Sequence, residues 1–287
     1  MLGPLLDDLL RLYFQNIHAY YPVIDEFDFE QSFSGFSDDG NLRQSRALVL
    51  TSMLLCASMY LNTNKSYGYG QWTQKKLQIA VFAATKDLYN AASETGNQTA
   101  LTQACMLLSY WSPCYQEQAH INSAWLARAF VHAEAAGLRE MTSETLTDRS
   151  RLIWCCCLVR DRIISYSSRR ALNPMSSCTN GVRVSREDFG LEICMPRYSD
   201  PDSRNGLVDA FLLLCRLSEI LADINEFEQK QRDGERKVGR KEVLRVSQFD
   251  IRLREWKRGF QIWKAGPKNS TIQDSRGSYY LRCVVSE

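Results

Sequence analysis

Paired cysteines, clustered histidines and long uncharged apolar runs are all missing from this 287-residue chain, and each absence removes a class of function. The only histidines are His18, His120 and His132, too scattered for a metal motif. Ten cysteines contain no Cys-x-x-Cys pair, which argues against both a zinc site and a dithiol redox site. There is no Gly-x-Ser-x-Gly elbow, phosphate-cradling glycine loop or His-Glu-x-x-His helix. The net charge is only +2, so no global field favours nucleic acid or an anionic membrane as an obligate partner. The N-terminal apolar run is broken by Asp7 and Asp8 and is too polar for a signal-peptide core. No stretch approaches the roughly 20 uncharged apolar residues of a membrane span. Together these absences point to a soluble intracellular chain.

Hydrophobic residues make up 45% of the sequence, enough to fill one large core or two packed helical layers. Most cysteines belong to that core: Cys56, Cys105 and Cys215 sit at apolar helical positions, where a free thiol packs like a small hydrophobe. Cys155, Cys156 and Cys157 are consecutive on an expected helix, so their side chains diverge by about 100° and cannot grip one ion. The paired acids Asp7-Asp8 and Asp38-Asp39 read as solvated helix-start and turn residues. An all-α cyclase would need its Asp-rich motif on a helix, whereas Asp38-Asp39 falls in a glycine-containing stretch.

Helical periodicity dominates. A first helix is expected over Leu5–Tyr20, with Pro22 enforcing its end. A polar loop near Ser34 to Gly40 leads to a buried helix over Ala47–Leu61. Leu77, Val81, Ala84, Leu88 and Ala91 define an inward stripe on the next helix, and Leu101 to Trp111 forms another, stopped by Pro113. Between Asn122 and Ser168 the spacing predicts an antiparallel hairpin. Its first helix has the stripe Leu126, Ala129, Phe130, Ala133 and Ala136, with Gly137 as a left-handed cap. The second carries Leu152, Cys156, Val159, Ile163 and Tyr166. From Asn173 to Asn205 the period fails and a long ordered loop is expected, with Gly181 to Val184 as an isolated extended piece. Helical spacing returns from Leu207 to Ile224 and from Val246 to Trp263. The fold class is all-α, with about eight or more helices packed as antiparallel hairpins in one large domain.

Three strings then stand in a telling order. The first is Leu12-Tyr-Phe-Gln-Asn-Ile-His-Ala-Tyr-Tyr-Pro-Val-Ile-Asp25, ahead of a loop holding Phe27, Phe29 and Phe33. The second is the hairpin, from Ala124-Trp125 through Ala136-Gly137-Leu138-Arg139, then Arg149-Ser-Arg-Leu-Ile-Trp154 and Val159-Arg-Asp-Arg162. The third is Ser185-Arg-Glu-Asp-Phe-Gly-Leu-Glu-Ile-Cys-Met-Pro196. In order and separation they resemble the regulatory domain, or middle homology region, of fungal zinc-cluster transcription factors, over roughly residues 5 to 225. Family members often carry Gly-Arg-Pro after the second hairpin helix. Here Arg169-Arg170-Ala171-Leu172 stands instead, so that helix must end differently.

The resemblance implies a non-catalytic transcription regulator acting in the nucleus on metabolic or secondary-metabolite genes. Residues 1–230 would be the regulatory domain, and residues 231–287 a basic connector plus a helical part of the same domain. Both ends look truncated relative to the family, whose typical members begin with a six-cysteine DNA-binding module. Any zinc would belong to that module, leaving this chain without a metal or cofactor and in contact with DNA only indirectly. Implied partners are the transcription machinery or coregulators, a homodimer or heterodimer mate, and a small-molecule effector. Arg160 lies beside the main apolar face of its helix, so its buried cation needs a carboxylate, a carbonyl or a route to water. The alternative is an effector pocket in which Arg160 or Arg162 meets an anionic metabolite between Trp125 and Trp154. The mixed-charge run Lys230–Lys241 reads as a solvated connector, or as a nuclear-import patch through Arg236, Lys237, Arg240 and Lys241. A helical adaptor without transcriptional output is the competing reading, and an all-α enzyme ranks behind it.

Overall fold

A computed structural model describes residues 3–29, 40–61, 74–93, 96–111, 119–139, 148–177, 184–198, 200–232 and 239–266. Helix α1 spans Gly3–Asn16, shorter than expected, because the backbone from Ile17 onward closes into turns rather than helix. His18 N–H reaches back to the Tyr13 carbonyl at 3.1 Å, and Tyr20 and Tyr21 both bond the Ile17 carbonyl. A short helical turn follows at residues 26–29, where Phe29 packs edge-on against Phe14; Phe33 lies outside the described residues. Helix α2 (Gly40–Ala57) starts earlier than its apolar run and ends in a 3₁₀ turn at Ser58–Tyr60.

Helix α3 (Gln74–Ala92) corrects the expected stripe: Ala84 and Ala91 are exposed, and the buried positions are Gln78, Thr85, Tyr89 and Ala92. The cause is aromatic. Tyr89 needs the interior more than either alanine does, and Thr85 is tolerated there because its hydroxyl donates to the Val81 carbonyl at 2.7 Å. Helix α4 (Gln98–Tyr110) is capped by Asn97, whose side chain accepts from the amides of Thr99 and Ala100. It packs most extensively against α5 (Ala119–Ala135).

Helix α6 (Asp148–Ser167) is the axle of the fold. Every residue from Leu152 to Ile163 is buried, charged ones included, because α4, α5, α8 and a 3₁₀ segment surround it. The hairpin of α5 and α6 is present, with Phe130 edge-on to Trp154 at 5.7 Å. It is not the main pairing of either helix: α5 rests chiefly on α4, and α6 on α8.

Both hairpin helices end in the same way. After α5, Leu138 N–H bonds the Ala133 carbonyl and Gly137 N–H bonds that of Glu134, with Gly137 at φ 68°. After α6, Arg170 N–H bonds Ser165 and Arg169 N–H bonds Tyr166, with Arg169 at φ 53°. Each is a Schellman ending, which places one residue in the left-handed region. The second turn is built with an arginine, and long-range bonds hold it. Arg232 Nη1 donates to the Arg169 carbonyl at 2.9 Å, Asn225 Nδ2 to the Arg170 carbonyl at 3.0 Å, and Arg170 Nη2 to Asp161 at 2.8 Å.

The expected loop between Asn173 and Asn205 contains helical pieces. A short α7 spans Pro174–Ser177, a 3₁₀ segment spans Arg186–Ile193, and α8 (Pro201–Arg232) begins six residues before the apolar period shows. The start of α8 is set by local chemistry: Asp200 accepts from Ser203 N–H at 3.0 Å, and Pro201 occupies the first helical position. Of the stretch expected to be extended, Gly181 to Val184, residues 181–183 lie outside the described residues, as do Arg236 and Lys237. Helix α9 (Arg240–Lys264) runs antiparallel to α8, with Trp256 Nε1 on the Leu213 carbonyl and Trp263 Nε1 on the Gly206 carbonyl. Its Trp256 and Phe260 join the same core as α1 to α6. No strand occurs among the described residues.

Candidate functional site

The densest buried chemistry lies where the α1 exit, the start of α6, the 3₁₀ segment and the start of α8 meet. Arg149, in the first turn of α6, reaches across the chain to the Pro22 carbonyl at 2.9 Å and the Ile24 carbonyl at 3.2 Å. Its Nη2 also faces Asp25 Oδ2 at 2.6 Å and Glu192 Oε2 at 3.1 Å. Glu192 is wholly buried and further meets His18 Nε2 at 3.3 Å and the Glu26 N–H at 3.1 Å. Glu26 accepts from the amides of Arg197 and Tyr198, both at 2.7 Å, and its other oxygen forms an ion pair with the buried Arg204 of α8. Asp25 Oδ1 caps the helical turn at residues 26–29 through the amides of Phe27 and Asp28. Nearby, Arg151 pairs with Asp188, which itself accepts from Ser185 N–H at 2.7 Å and starts the 3₁₀ segment.

All the carboxylate oxygens of Asp25, Glu26 and Glu192 are thus engaged by a guanidinium, an imidazole or a backbone amide. Burial alone would raise the Glu192 pKa, but His18 and Arg149 hold it below the ordinary carboxylate value. Burial lowers that of His18 despite the facing Glu192. His18 is therefore neutral near pH 7, and Arg149 is the lasting counter-charge of Glu192. Burial also presses on Arg149, yet Glu192 and Asp25 raise its pKa above the usual one. Arg204 is pushed down by burial to about 10, still charged at neutral pH. The arrangement supplies strong fixed links, with each acid already committed to a partner.

The expected effector residues lie elsewhere, Trp154, Arg160 and Arg162 on α6 and Trp125 on α5. Arg160 is buried, and its Nη2 donates to the Ser109 carbonyl at 2.6 Å, near the end of α4. Its guanidinium lies 5.8 Å from the Tyr21 ring centre and 5.6 Å from that of Tyr110, whose hydroxyl bonds Tyr60 at 2.8 Å. Arg162 is buried too. Trp125 is edge-on to Tyr89 with Arg128 over its face at 4.5 Å, and Trp154 packs on Phe130. His132 completes that region, with Nε2 3.0 Å from the Tyr89 hydroxyl and Nδ1 2.8 Å from Gln98 Oε1. Among the described residues, no group of three or more His, Cys, Asp or Glu is placed to hold a metal ion. No described helix is long and apolar enough to cross a membrane.

The charge network is not legible in the sequence, because partners such as His18 and Glu192 lie 174 residues apart. A signal was present: isolated acids inside apolar strings, Ile24-Asp25-Glu26-Phe27 and Leu191-Glu192-Ile193, are poor solvent-face patterns. The three strings that first drew attention converge here, contributing His18 and Asp25, Arg149, and Glu192 respectively.

These features define an all-α domain organised about a buried charge network. The chain belongs to the fungal specific transcription factor domain family, whose match covers residues 10–180. It is similar to a transcription factor of Fusarium pseudograminearum (strain CS3096), at 26% identity over 198 residues, covering 67% of this chain and 21% of that protein. It is also similar to cutinase transcription factor 1 beta of Fusarium vanettenii, at 25% identity over 66% of this chain and 22% of the relative. For transcription factor cpaR of Aspergillus oryzae the identity is 22%, covering 63% of this chain and 30% of the relative. The chain therefore spans less than a third of the length of each of these relatives. No solved structure gives a significant match.

Proposed function

We propose that this chain is the regulatory portion of a nuclear transcription regulator and works as a conformational switch without catalysing a reaction. The observation that carries the reading is the family match over residues 10–180, together with relatives named as transcription factors. The physical basis for a switch is α6. Its buried charges bind partners on the α1 exit, α4 and the 3₁₀ segment, so a shift of α6 breaks several specific contacts together. Such a body has discrete packings and bends poorly, which suits two-state control.

In this reading an anionic metabolite competes with the Ser109 carbonyl for Arg160 beside the rings of Tyr21 and Tyr110; Arg162 leaves α6 about 200° further round, and Trp125 and Trp154 pack on Tyr89 and Phe130. DNA contact falls to a zinc-cluster module outside this chain or to a dimer partner, coregulators read the helical surface, and metabolic genes are the targets. Arg236, Lys237, Arg240 and Lys241 act as the import patch.

The test fuses the whole chain to an independent DNA-binding domain above a reporter gene. Output should differ from that of the DNA-binding domain alone and shift with an inducer. No change under any inducer refutes the proposal and favours the adaptor. For the pocket, Arg160→Met should remove the inducer response while the thermal melt stays cooperative; loss of folding instead would withdraw support from an effector at Arg160. Four alanines at the import patch should move a fluorescent fusion toward the cytoplasm, and unchanged nuclear retention would reject that role.

A further inference from the structure

Of the nine large hydrophobic side chains that stand exposed among the described residues, five lie on α9: Val243, Leu244, Val246, Ile251 and Ile262. A helix already seated on a neighbour has no packing need for them. At about 100° per residue, Leu244, Ile251 and Ile262 fall within about 20° of one line along the helix, since steps of 7 and 11 residues nearly close whole turns. The buried Phe249, Trp256 and Phe260 project from about the opposite side, where α8 lies. Helix α9 therefore has two apolar faces, one covered and one open, with Ile262 as much as 75% exposed.

The open face is also positively charged. Arg240, Lys241 and Arg258 are exposed and flank the apolar line within about 60°. One exposed acid, Glu255, lies within about 20° of that line, between Ile251 and Ile262, so the face carries three cations against one anion. Arg254 lies further round and is paired with Asp250 at 2.9 Å. The helix as a whole has eight basic and three acidic side chains. Two copies of this face would bring their cations together, so charge disfavours self-association and favours an acidic occupant. The shape, a straight ridge about five turns long from Leu244 to Ile262, suits another helix lying alongside it.

We propose that the outward face of α9 is a docking surface for an acidic amphipathic helix of another protein, with Leu244, Ile251 and Ile262 as apolar anchors and Arg240, Lys241 and Arg258 as the charged border. The surface lies beyond the stretch matched by the family, and the proposal does not depend on the transcriptional reading.

The test uses the full chain and a fluorescein-labelled synthetic helix with leucine on one face and glutamate elsewhere, read by anisotropy. A second probe replaces every glutamate with lysine. The glutamate probe should bind saturably and more weakly as salt rises, while the lysine probe should not bind. Ile251→Asp should weaken binding by about tenfold or more, as loss of a central anchor does. Arg258→Glu should weaken it too, while circular dichroism stays unchanged for both variants because the substituted side chains are exposed. The proposal is overturned by equal binding of the two probes, by no saturable binding, or by binding that neither substitution moves. It is equally overturned if sedimentation reveals a dimer that Ile251→Asp dissolves, which would assign the face to a second copy.

Discussion

Replacing Glu192 by alanine should be among the most damaging single changes in the chain. The substitution leaves the Arg149 guanidinium short of one buried carboxylate and strands the Glu26 amide, which now donates to Glu192 at 3.1 Å. Removing one partner of a buried ion pair costs about 3–5 kcal/mol, because the remaining charge loses its compensation. Asp25 and two backbone carbonyls still hold Arg149, which argues for the lower half of that range. Set against the roughly 5–15 kcal/mol of a typical domain, this is a large share of the whole. In urea, followed by tryptophan fluorescence and far-ultraviolet circular dichroism, the midpoint should fall by roughly 1–2 M. Glu187→Ala, an exposed acid in the same 3₁₀ segment, should stay within about 0.5 kcal/mol of the parent. A double-mutant cycle of Glu192→Gln with Arg149→Met isolates the pair, and a coupling above about 0.5 kcal/mol is expected for residues in one network. If Glu192→Ala costs less than about 1 kcal/mol, well under the cost of exposing a buried charge, the network is not the clasp described above.

Acidification should weaken the fold before any carboxylate protonates. Burial lowers the pKa of His18 and of His132 from 6.5, so below that pH the unfolded chain takes up protons first. Stability is full above 6.5 and declines until the lowered folded values are passed, by up to about 1.4 kcal/mol per pH unit for each ring. The urea midpoint should drop between pH 7.5 and 5.5 and drop less in His132→Gln; a flat or rising profile would contradict the burial of these imidazoles. Arg169→Gly should stabilise by about 0.5–1 kcal/mol in a thermal melt, since glycine adopts the left-handed turn without strain. A lower melting temperature would mean that the arginine side chain holds the turn. Among the described cysteines, alkylation by iodoacetamide should mark the exposed Cys194 first, with Cys56, Cys105, Cys156 and Cys157 reacting only on unfolding. Burial raises the pKa of each of these four thiols, that of Cys105 to about 12, and rapid native-state labelling of any of them would refute their placement.

Regular helices with strong stripes are legible in the residues, as Leu207 to Ile224 shows; the expected stripe from Val246 to Trp263 holds from Phe249 onward, while Val246 is exposed. The stripe of α3 misled because alanines count as apolar but contribute little area, so the aromatic Tyr89 set the rotation. The helix start at Pro201 was readable from Asp200-Pro201 and was hidden by reliance on periodicity alone. At the site, Arg160 stands out in the sequence because a cation beside an apolar stripe must be compensated, whereas the Ser109 carbonyl that meets it does not, since a backbone carbonyl leaves no mark on composition. Glu192, Arg204 and His18 were silent for a related reason, since their meaning arises only when distant segments touch.

The grip of Arg149 on the carbonyls of Pro22 and Ile24, and of Arg204 on Glu26, has a consequence for how the molecule is born. Helix α1 leaves the ribosome long before Arg204, so its exit lacks the last of these anchors until Arg204 has been synthesised. At about 5–20 residues per second, that delay is roughly ten to forty seconds. During it Phe14, buried in the finished protein, lacks the ring of Tyr198 that stacks on it at 4.9 Å. Helix α1 is thus anchored long after it is made, and chaperones that shield apolar stretches during translation should favour it.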